Sequence, residues 1–163
     1  MSTPDRPGEW VLLAYRIPRE PSTPRIAIWR ALKRLGVAQL GDGLVGLPAD
    51  ARTREHLDWI AQQAVDAAGT ATVWLARPVA ASQERQIAAV MAAERAKEYA
   101  KVRDEATAAL DDDDAARITT MRKLRAELDR IGKRDYFPPA ERDAAHTAVT
   151  ALTGDLQRQV RAS

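Results

Sequence analysis

The sequence lacks several residue types that chemistry often depends on. Among its 163 residues there is no cysteine, which excludes disulfide bonds, thiolate nucleophiles and cysteine-ligated zinc. Only two histidines are present, and aromatic residues make up 5% of the chain. No apolar run approaches the roughly 18–20 residues that a membrane-spanning helix needs, and the polar first nine residues show no signal peptide. These absences predict a cytoplasmic protein without a membrane anchor.

Basic residues are concentrated in two stretches, although the net charge is only +2. Residues 16–34 hold six cations against one acid, and residues 117–134 hold seven cations against two acids. Such stretches can form a surface that faces phosphates, or they can be solvated helix faces, and both interpretations stay open here. The candidate DNA phosphate-binding residues are Arg16, Arg19, Arg25, Arg30, Lys33, Arg34, Arg122, Lys123, Arg125, Lys133 and Arg134.

Proline and glycine divide the first half into short elements. Residues 10–17 are aromatic and apolar and predict a strand, followed by a helix that Ser22 or Thr23 caps and Gly36 ends. Two apolar runs around Gly41-Asp42-Gly43 predict a hairpin. A second helix from about residue 50 to 68 and a strand over 72–77 complete the order β-α-β-β-α-β. This order predicts an α+β, ferredoxin-like antiparallel sheet with both helices on one face.

The second half is rich in alanine, glutamate, arginine and lysine and predicts helices over 82–110 and 115–131. Apolar residues at three- and four-residue spacing mark the buried side of the second of these helices. Asp114 is predicted to cap that helix, and Pro138-Pro139 to open a third. The predicted domains are a sheet domain over 1–80 and a helical extension over 81–163, which packs on the first part or on a partner.

Both faces of the predicted sheet are apolar, although two helices cover only one of them. We therefore expect either the helical half or a second copy of the chain to cover the other face, and predict a homodimer. The four tryptophans fall on the first and last strands and on the first two helices. This distribution predicts core anchors rather than a platform for stacking nucleic-acid bases.

No arrangement of residues predicts catalysis. His56 and His146 are 90 positions apart and are expected to be surface or hydrogen-bonded histidines. Asp111–Asp114 could bind a divalent cation through clustered carboxylates, but a solvated linker is the favoured interpretation. No nucleophile elbow, P-loop or dinucleotide fingerprint is present. The sequence therefore predicts no catalytic residue, no metal site and no cofactor.

Three segments carry a resemblance to a known family. They are WVLLAYRIPREPSTPRIAIWRALKRLGVAQLGDGLVGLPAD at 10–50, TVWLARPV at 72–79 and LRAELDRIGKRDYF at 124–137. Together they resemble the N-terminal domain of ChrB-type chromate-resistance regulators, over nearly the whole chain. The resemblance implies a bacterial cytoplasmic protein linked to chromate-responsive transcription. Family members typically carry a second, C-terminal domain, so we expect a separately encoded partner that supplies it, or a chain that keeps only part of the family's role.

A more distant similarity is to PaaX-type repressors and to the small CRISPR spacer-acquisition proteins, which are ferredoxin-like dimers. Members of the latter group that cleave nucleic acid use an aspartate at the end of the first strand, where this chain has Arg16. A cationic side chain cannot hold a metal ion there. We therefore expect a non-enzymatic, DNA-associated regulator. The alternatives are a module that binds a protein partner or a small oxyanion and, less favoured, a metal-dependent nuclease.

Overall fold

The structure, a computed structural model, describes residues 7–162, with side chains described through residue 154 and again at 158 and 161. The first half confirms the predicted ferredoxin-like order, and the second half is helical as predicted. The elements are β1 (Trp10–Arg16), α1 (Ser22–Leu35), β2 (Ala38–Gly41), β3 (Leu44–Pro48), α2 (Ala51–Asp66), β4 (Thr70–Ala76), α3 (Ala81–Ala109), α4 (Asp114–Gly132) and α5 (Glu141–Ala162).

The four strands form one antiparallel sheet in the order β2-β3-β1-β4. β1 is central, and its Leu13 lies opposite Val45 of β3 and Val73 of β4. Val11 and Leu13 are fully buried, and α2 packs against β1 and β4. The alternate residues of β1 point to the opposite face, because successive side chains of a strand project to opposite sides.

Two glycines allow neighbouring chain segments to lie close to the end of β1. Gly43 has a φ of 68°, and a side chain there would collide with the carbonyl oxygen of Tyr15. A Cβ atom at Gly69 would collide with the carbonyl oxygen of Arg16. Glycine at both positions therefore allows the backbone to pack closely against the end of β1, where the first candidate residue, Arg16, lies.

The start of α1 differs from the prediction. The N-cap residue is Pro21, in an extended conformation, and no side chain caps the helix. Ser22 and Thr23, the two predicted cap residues, are the first and second residues of the helix. The predicted end is confirmed, because Gly36 adopts the left-handed conformation with a φ of 70°. The first turn of α1 also contains no acidic residue that would oppose an approaching anion.

The cap of α4 lies one residue earlier than predicted. The side chain of Asp113 accepts a hydrogen bond from the backbone N–H of Ala116 at 2.9 Å. Asp114 belongs to the helix and lies 3.7 Å from Arg117, so it pairs along the helix instead of capping it. The reason is geometric, since a cap residue must keep an extended backbone and Asp113 has a ψ of 164°.

The start of α3 covers one end of the second sheet face. The indole N–H of Trp10 donates a hydrogen bond to Glu84 Oε2 at 2.9 Å, and Trp10 is 3% exposed. Ile87 of α3 also lines a hollow of about 360 Å³ beside Leu12. Trp74, opposite Leu12 on the same face, is 56% exposed. The cover is therefore partial.

The chain divides into two compact units, which meet within α3 at Met91 and Ala92. In the second unit, the later part of α3 packs with α4 and α5 around one apolar core. The predicted stripe of α4 is confirmed at four of its five positions, because Met121, Leu124, Leu128 and Ile131 are buried in this core and Ile118 is half-buried. The domain boundary between residues 80 and 81 stays a prediction. Across residues 7–162, no helix combines the length and apolar character needed to cross a membrane.

Candidate nucleic-acid interface

The first three candidate cations lie where β1 passes into α1. Arg16 is the last residue of β1, Arg19 lies in the connecting loop and Arg25 is in α1. All three are exposed. Burial raises the pKa of the neighbouring Tyr15 phenol, and the positive charge of Arg25 partly opposes this. Arg25 therefore acts electrostatically on the end of β1.

The next three candidates, Arg30, Lys33 and Arg34, lie further along α1 and are also exposed. Ile28 and Leu32 of the same helix are buried in the core, so the apolar and basic residues occupy different sides of α1. Within residues 7–162, none of the six cations between positions 16 and 34 forms an ion pair. We call these six residues the α1 basic group. Their charges are available to an external anion.

The candidates of α4 are less uniform. Arg122 and Arg125 are exposed and have no ion-pair partner in the described part of the chain. Lys123 is also exposed, but its ammonium group lies 3.2 Å from Glu105 of α3. The charge of Lys123 is therefore partly neutralised within its own unit.

The residues at the ends of the second basic stretch are largely structural. Arg134 is half-buried, donates a hydrogen bond to Glu98 at 2.7 Å and another to the carbonyl oxygen of Arg130 at 3.2 Å. Arg117 is buried and donates to the carbonyl oxygen of Leu152 at 3.4 Å. Lys133, the C-cap residue of α4, is exposed. The sequence does not distinguish these roles, because Glu98 and Leu152, which accept hydrogen bonds from Arg134 and Arg117, lie on other helices.

The structure thus separates the candidates into two sets. The α1 basic group belongs to the first compact unit, and the candidates between Arg122 and Arg134 belong to the second. Each set lies on contiguous elements of its own unit. The first set has all its charges unpaired in the described structure, whereas the second uses part of its charge internally.

The expectation that the tryptophans are core anchors is wrong for three of the four. Trp10 is buried, but Trp29, Trp59 and Trp74 are 57%, 65% and 56% exposed. In each of these elements, smaller apolar residues occupy the buried positions, so the indole rings lie outside the core. The ring of Trp29 lies next to the α1 basic group, and the Lys33 ammonium is 4.8 Å from its centroid.

The two histidines and the aspartate run do not form a site. His146 is exposed, whereas His56 is half-buried and its Nδ1 atom has no hydrogen-bond partner in the described structure, contrary to the expectation of a surface or hydrogen-bonded histidine. All four residues of Asp111–Asp114 are exposed. Within residues 7–162, no three histidine or acidic residues are grouped as metal ligands.

Comparison with known proteins agrees with the resemblance seen in the three segments. The sequence profile of the family described as "Protein ChrB, N-terminal" matches residues 25–129, more than half of the chain. The chain belongs to the ChrB N-terminal family. This match confirms the family expected from the sequence. The matched region contains α1 from Arg25 onward and α4 to residue 129, whereas Arg16 and Arg19 precede it.

A curated relative of the ChrB family gives the extent of the similarity. Protein ChrB of Cupriavidus metallidurans is 32% identical to the chain over 133 residues, which cover 79% of the chain. The chain spans only 40% of the length of this relative. A solved structure, uncharacterized protein Rv0674 from Mycobacterium tuberculosis, has a TM-score of 0.54 and 18% identity, covering 90% of the chain and 61% of that protein. This second similarity concerns the fold alone.

Proposed function

We propose that the chain is a non-enzymatic regulatory protein of the chromate-resistance type that binds duplex DNA phosphates through the α1 basic group. The observation that carries the proposal is the exposed state of these six cations, none of which is paired with an acid in the described structure. Cations that are not neutralised within the protein can displace the counterions of DNA, and this release supplies much of the affinity for duplexes.

Two features of the first unit support an anion-binding role for this region. The first turn of α1 has no acidic residue, and the single acid near the helix start, Glu20, lies in the preceding loop among a larger number of cations. Arg16, Arg19 and Arg25 lie around this start. The position of Arg16 also supports a non-enzymatic role, since a guanidinium group at the end of β1 repels the metal ion that a nuclease needs.

The exposed cations of α4 provide a second, weaker contact in this proposal. Arg122, Arg125 and Lys133 are free of ion pairs in the described structure, whereas Lys123 and Arg134 are engaged with Glu105 and Glu98. We expect the three free residues to add phosphate contacts and the two paired residues to maintain the helical unit. Of the five candidate phosphate-binding residues that the sequence provided between positions 122 and 134, this assignment keeps three.

The proposed role is cytoplasmic and includes a second protein module. The chain spans 40% of the length of its curated ChrB relative. In this proposal it works together with a C-terminal ChrB-like domain. In this proposal the partner senses chromate and the chain described here contacts DNA. The family membership supports the link with chromate-responsive transcription.

We also propose that the chain forms a homodimer through the partly covered sheet face. Leu12 is half-buried and Trp74 is exposed on that face, while the start of α3 protects only the end near Trp10. An exposed indole beside aliphatic residues is costly in water, and a second copy can bury it. A two-fold dimer would place two α1 basic groups in one assembly, which suits a double-helical partner.

A second candidate function is the binding of a protein partner in a groove between α1 and α2. The groove has a volume of about 340 Å³ and an apolar floor that includes Leu35 and Ile60. Trp59, Arg34 and Glu55 also line it. An apolar floor with an aromatic side chain and charges of both signs can accept a side chain of a partner. This alternative requires no nucleic acid.

The deciding experiment measures binding of the purified chain to the duplex upstream of its own coding sequence and to an unrelated duplex. Fluorescence anisotropy is recorded from about 50 to 200 mM salt, with and without chromate. The proposal expects affinity that falls steeply as salt rises. An absence of binding to either duplex at the lowest salt contradicts it and leaves the protein-partner function. Chromate sensitivity without the partner domain contradicts the proposed division of roles.

A further inference from the structure

The exposed indole of Trp29 lies within the α1 basic group. Residues four positions apart in a helix stand above one another, so Arg25 and Lys33 flank Trp29 on the same side of α1. Arg30 follows it directly. Trp29 is 57% exposed, and no other aromatic residue is present in α1. A flat apolar ring thus lies between two cations, Arg25 and Lys33, that form no ion pair in the described structure.

Lys33 lies over one face of this ring. Its ammonium group lies 4.8 Å from the ring centroid, within the range of a cation–π interaction. The ammonium occupies one face of the indole, and the large exposed fraction shows that much of the remaining ring meets water. One face of the ring is therefore in contact with a cation, and much of the rest is open to a ligand.

We propose that α1 binds single-stranded nucleic acid, with one unpaired base stacked on Trp29 and the neighbouring phosphates bound by Arg25, Arg30 and Lys33. This inference rests on the proposed assignment of phosphate contacts to α1. Proteins that bind single strands combine a cationic surface with aromatic rings, and every base offers a face for stacking. A regular duplex hides these faces between base pairs, so the indole favours a strand whose bases are free.

The test uses the full chain with a labelled oligothymidine and a hairpin duplex of similar length. Binding is followed by anisotropy, and stacking is followed by quenching of tryptophan emission. Trp29→Ala should weaken binding to oligothymidine by roughly 5- to 150-fold, the range measured for one stacked base, and should remove most of the quenching. Trp29→Phe keeps an aromatic ring and should retain most of the affinity. Binding to the duplex should change little in either variant.

Trp59→Ala is the matched control. Trp59 is an exposed helical tryptophan of the same unit, but it lies on α2, where the groove it lines carries both Arg34 and Glu55. Its replacement should leave both the affinity for oligothymidine and the quenching unchanged. Equal losses in the Trp59 and Trp29 variants would overturn the inference, because a general loss of apolar surface would then explain both.

The remaining outcomes separate this inference from the proposed function. Suppose that the chain binds the duplex in a salt-dependent way and that Trp29→Ala weakens oligothymidine binding no more than duplex binding. That result would overturn the stacking role and leave the proposed function standing. Binding to neither nucleic acid would overturn both. Circular dichroism of each variant checks the fold, and the phenylalanine variant still decides the question if the alanine variant is unfolded.

Discussion

The phenol group of Tyr99 donates a hydrogen bond to Oδ2 of Asp135 at 2.8 Å. Tyr99 is fully buried in α3, and Asp135 lies in the segment that follows α4. The contact therefore ties two parts of the helical unit together. Burial raises the pKa of Tyr99 well above its ordinary value, and the hydrogen bond to Asp135 and the charge of that residue add to the shift.

Replacing this tyrosine should destabilise the helical unit. Tyr99→Phe removes the hydroxyl group and leaves the Asp135 carboxylate without its donor, which should cost about 1–3 kcal/mol of unfolding free energy. Denaturant unfolding followed by circular dichroism measures the change. A cost below a few tenths of a kcal/mol would show that water replaces the hydroxyl group at no loss.

The same residue predicts a dependence of stability on alkaline pH. Because the folded-state pKa of Tyr99 is raised, its ionisation favours the unfolded chain once the pH exceeds about 10, the ordinary pKa of tyrosine. The associated stability is complete below that pH and is lost as the pH rises towards the folded-state pKa. The difference in stability between wild type and Tyr99→Phe should therefore shrink above about pH 10. A difference that stays constant with pH would contradict this.

The α1 basic group predicts a uniform loss of duplex affinity. In the triple variant Arg30→Ala, Lys33→Ala and Arg34→Ala, each lost phosphate contact should flatten the slope of log K against log salt by about 0.9. The affinity for duplexes of every sequence should fall alike, because contacts with phosphates do not depend on the base sequence. The melting temperature should change little, since these side chains are exposed.

A control for that variant removes the same charge from paired sites. Arg54, Lys97 and Arg103 are each within 4 Å of a nearby acid on the same helix, at 3.8 Å from Asp58, 3.0 Å from Glu94 and 3.0 Å from Asp104. Replacing all three by alanine should leave the salt slope nearly unchanged. If both triple variants flatten the salt slope equally, then the net charge of the chain, and not the position of the cations, determines its affinity for duplexes.

Two arginines of the second basic stretch should behave oppositely. Arg134→Ala removes the contact with Glu98 and should lower stability by about 1 kcal/mol, because both side chains are partly buried. Arg122→Ala removes an exposed, unpaired cation and should reduce the salt slope without a change in stability. Unfolding and binding measurements on the same preparations check both results. Reversed effects would contradict the assignment of Arg134 to stability and of Arg122 to binding.

Self-association should depend on Trp74. Trp74→Glu places a charge on the partly covered sheet face and should convert a dimer into a monomer, because burying an unpaired carboxylate is costly. Trp59→Glu changes an equally exposed tryptophan on α2 and should leave the dimer intact. Light scattering coupled to gel filtration measures both. A wild-type monomer at high micromolar concentration would contradict the proposed dimer.

The elements of the fold could be predicted from local patterns. Gly36, Gly43 and Gly69 mark turns because side chains at those places are strained or would collide with backbone atoms. The spacing of Met121, Leu124 and Leu128 marks the buried side of α4 because a helix repeats every 3.6 residues. The N-caps of α1 and α4 were predicted one or two residues too late. Neighbouring residues such as Asp113 and Asp114 have the same side chain, and the backbone conformation alone decides which of them is the cap.

By itself, the sequence determined the β-α-β-β-α-β order, the helical second half and the two basic stretches, because these depend on residues close together in the chain. Only the tertiary structure decided which cations remain free. Lys123 and Arg134 are engaged because Glu105 and Glu98 of α3 lie opposite them, at a separation that no local pattern encodes. The tertiary structure likewise decided the exposure of Trp29, because smaller neighbours on α1 fill the core and leave no space for its ring.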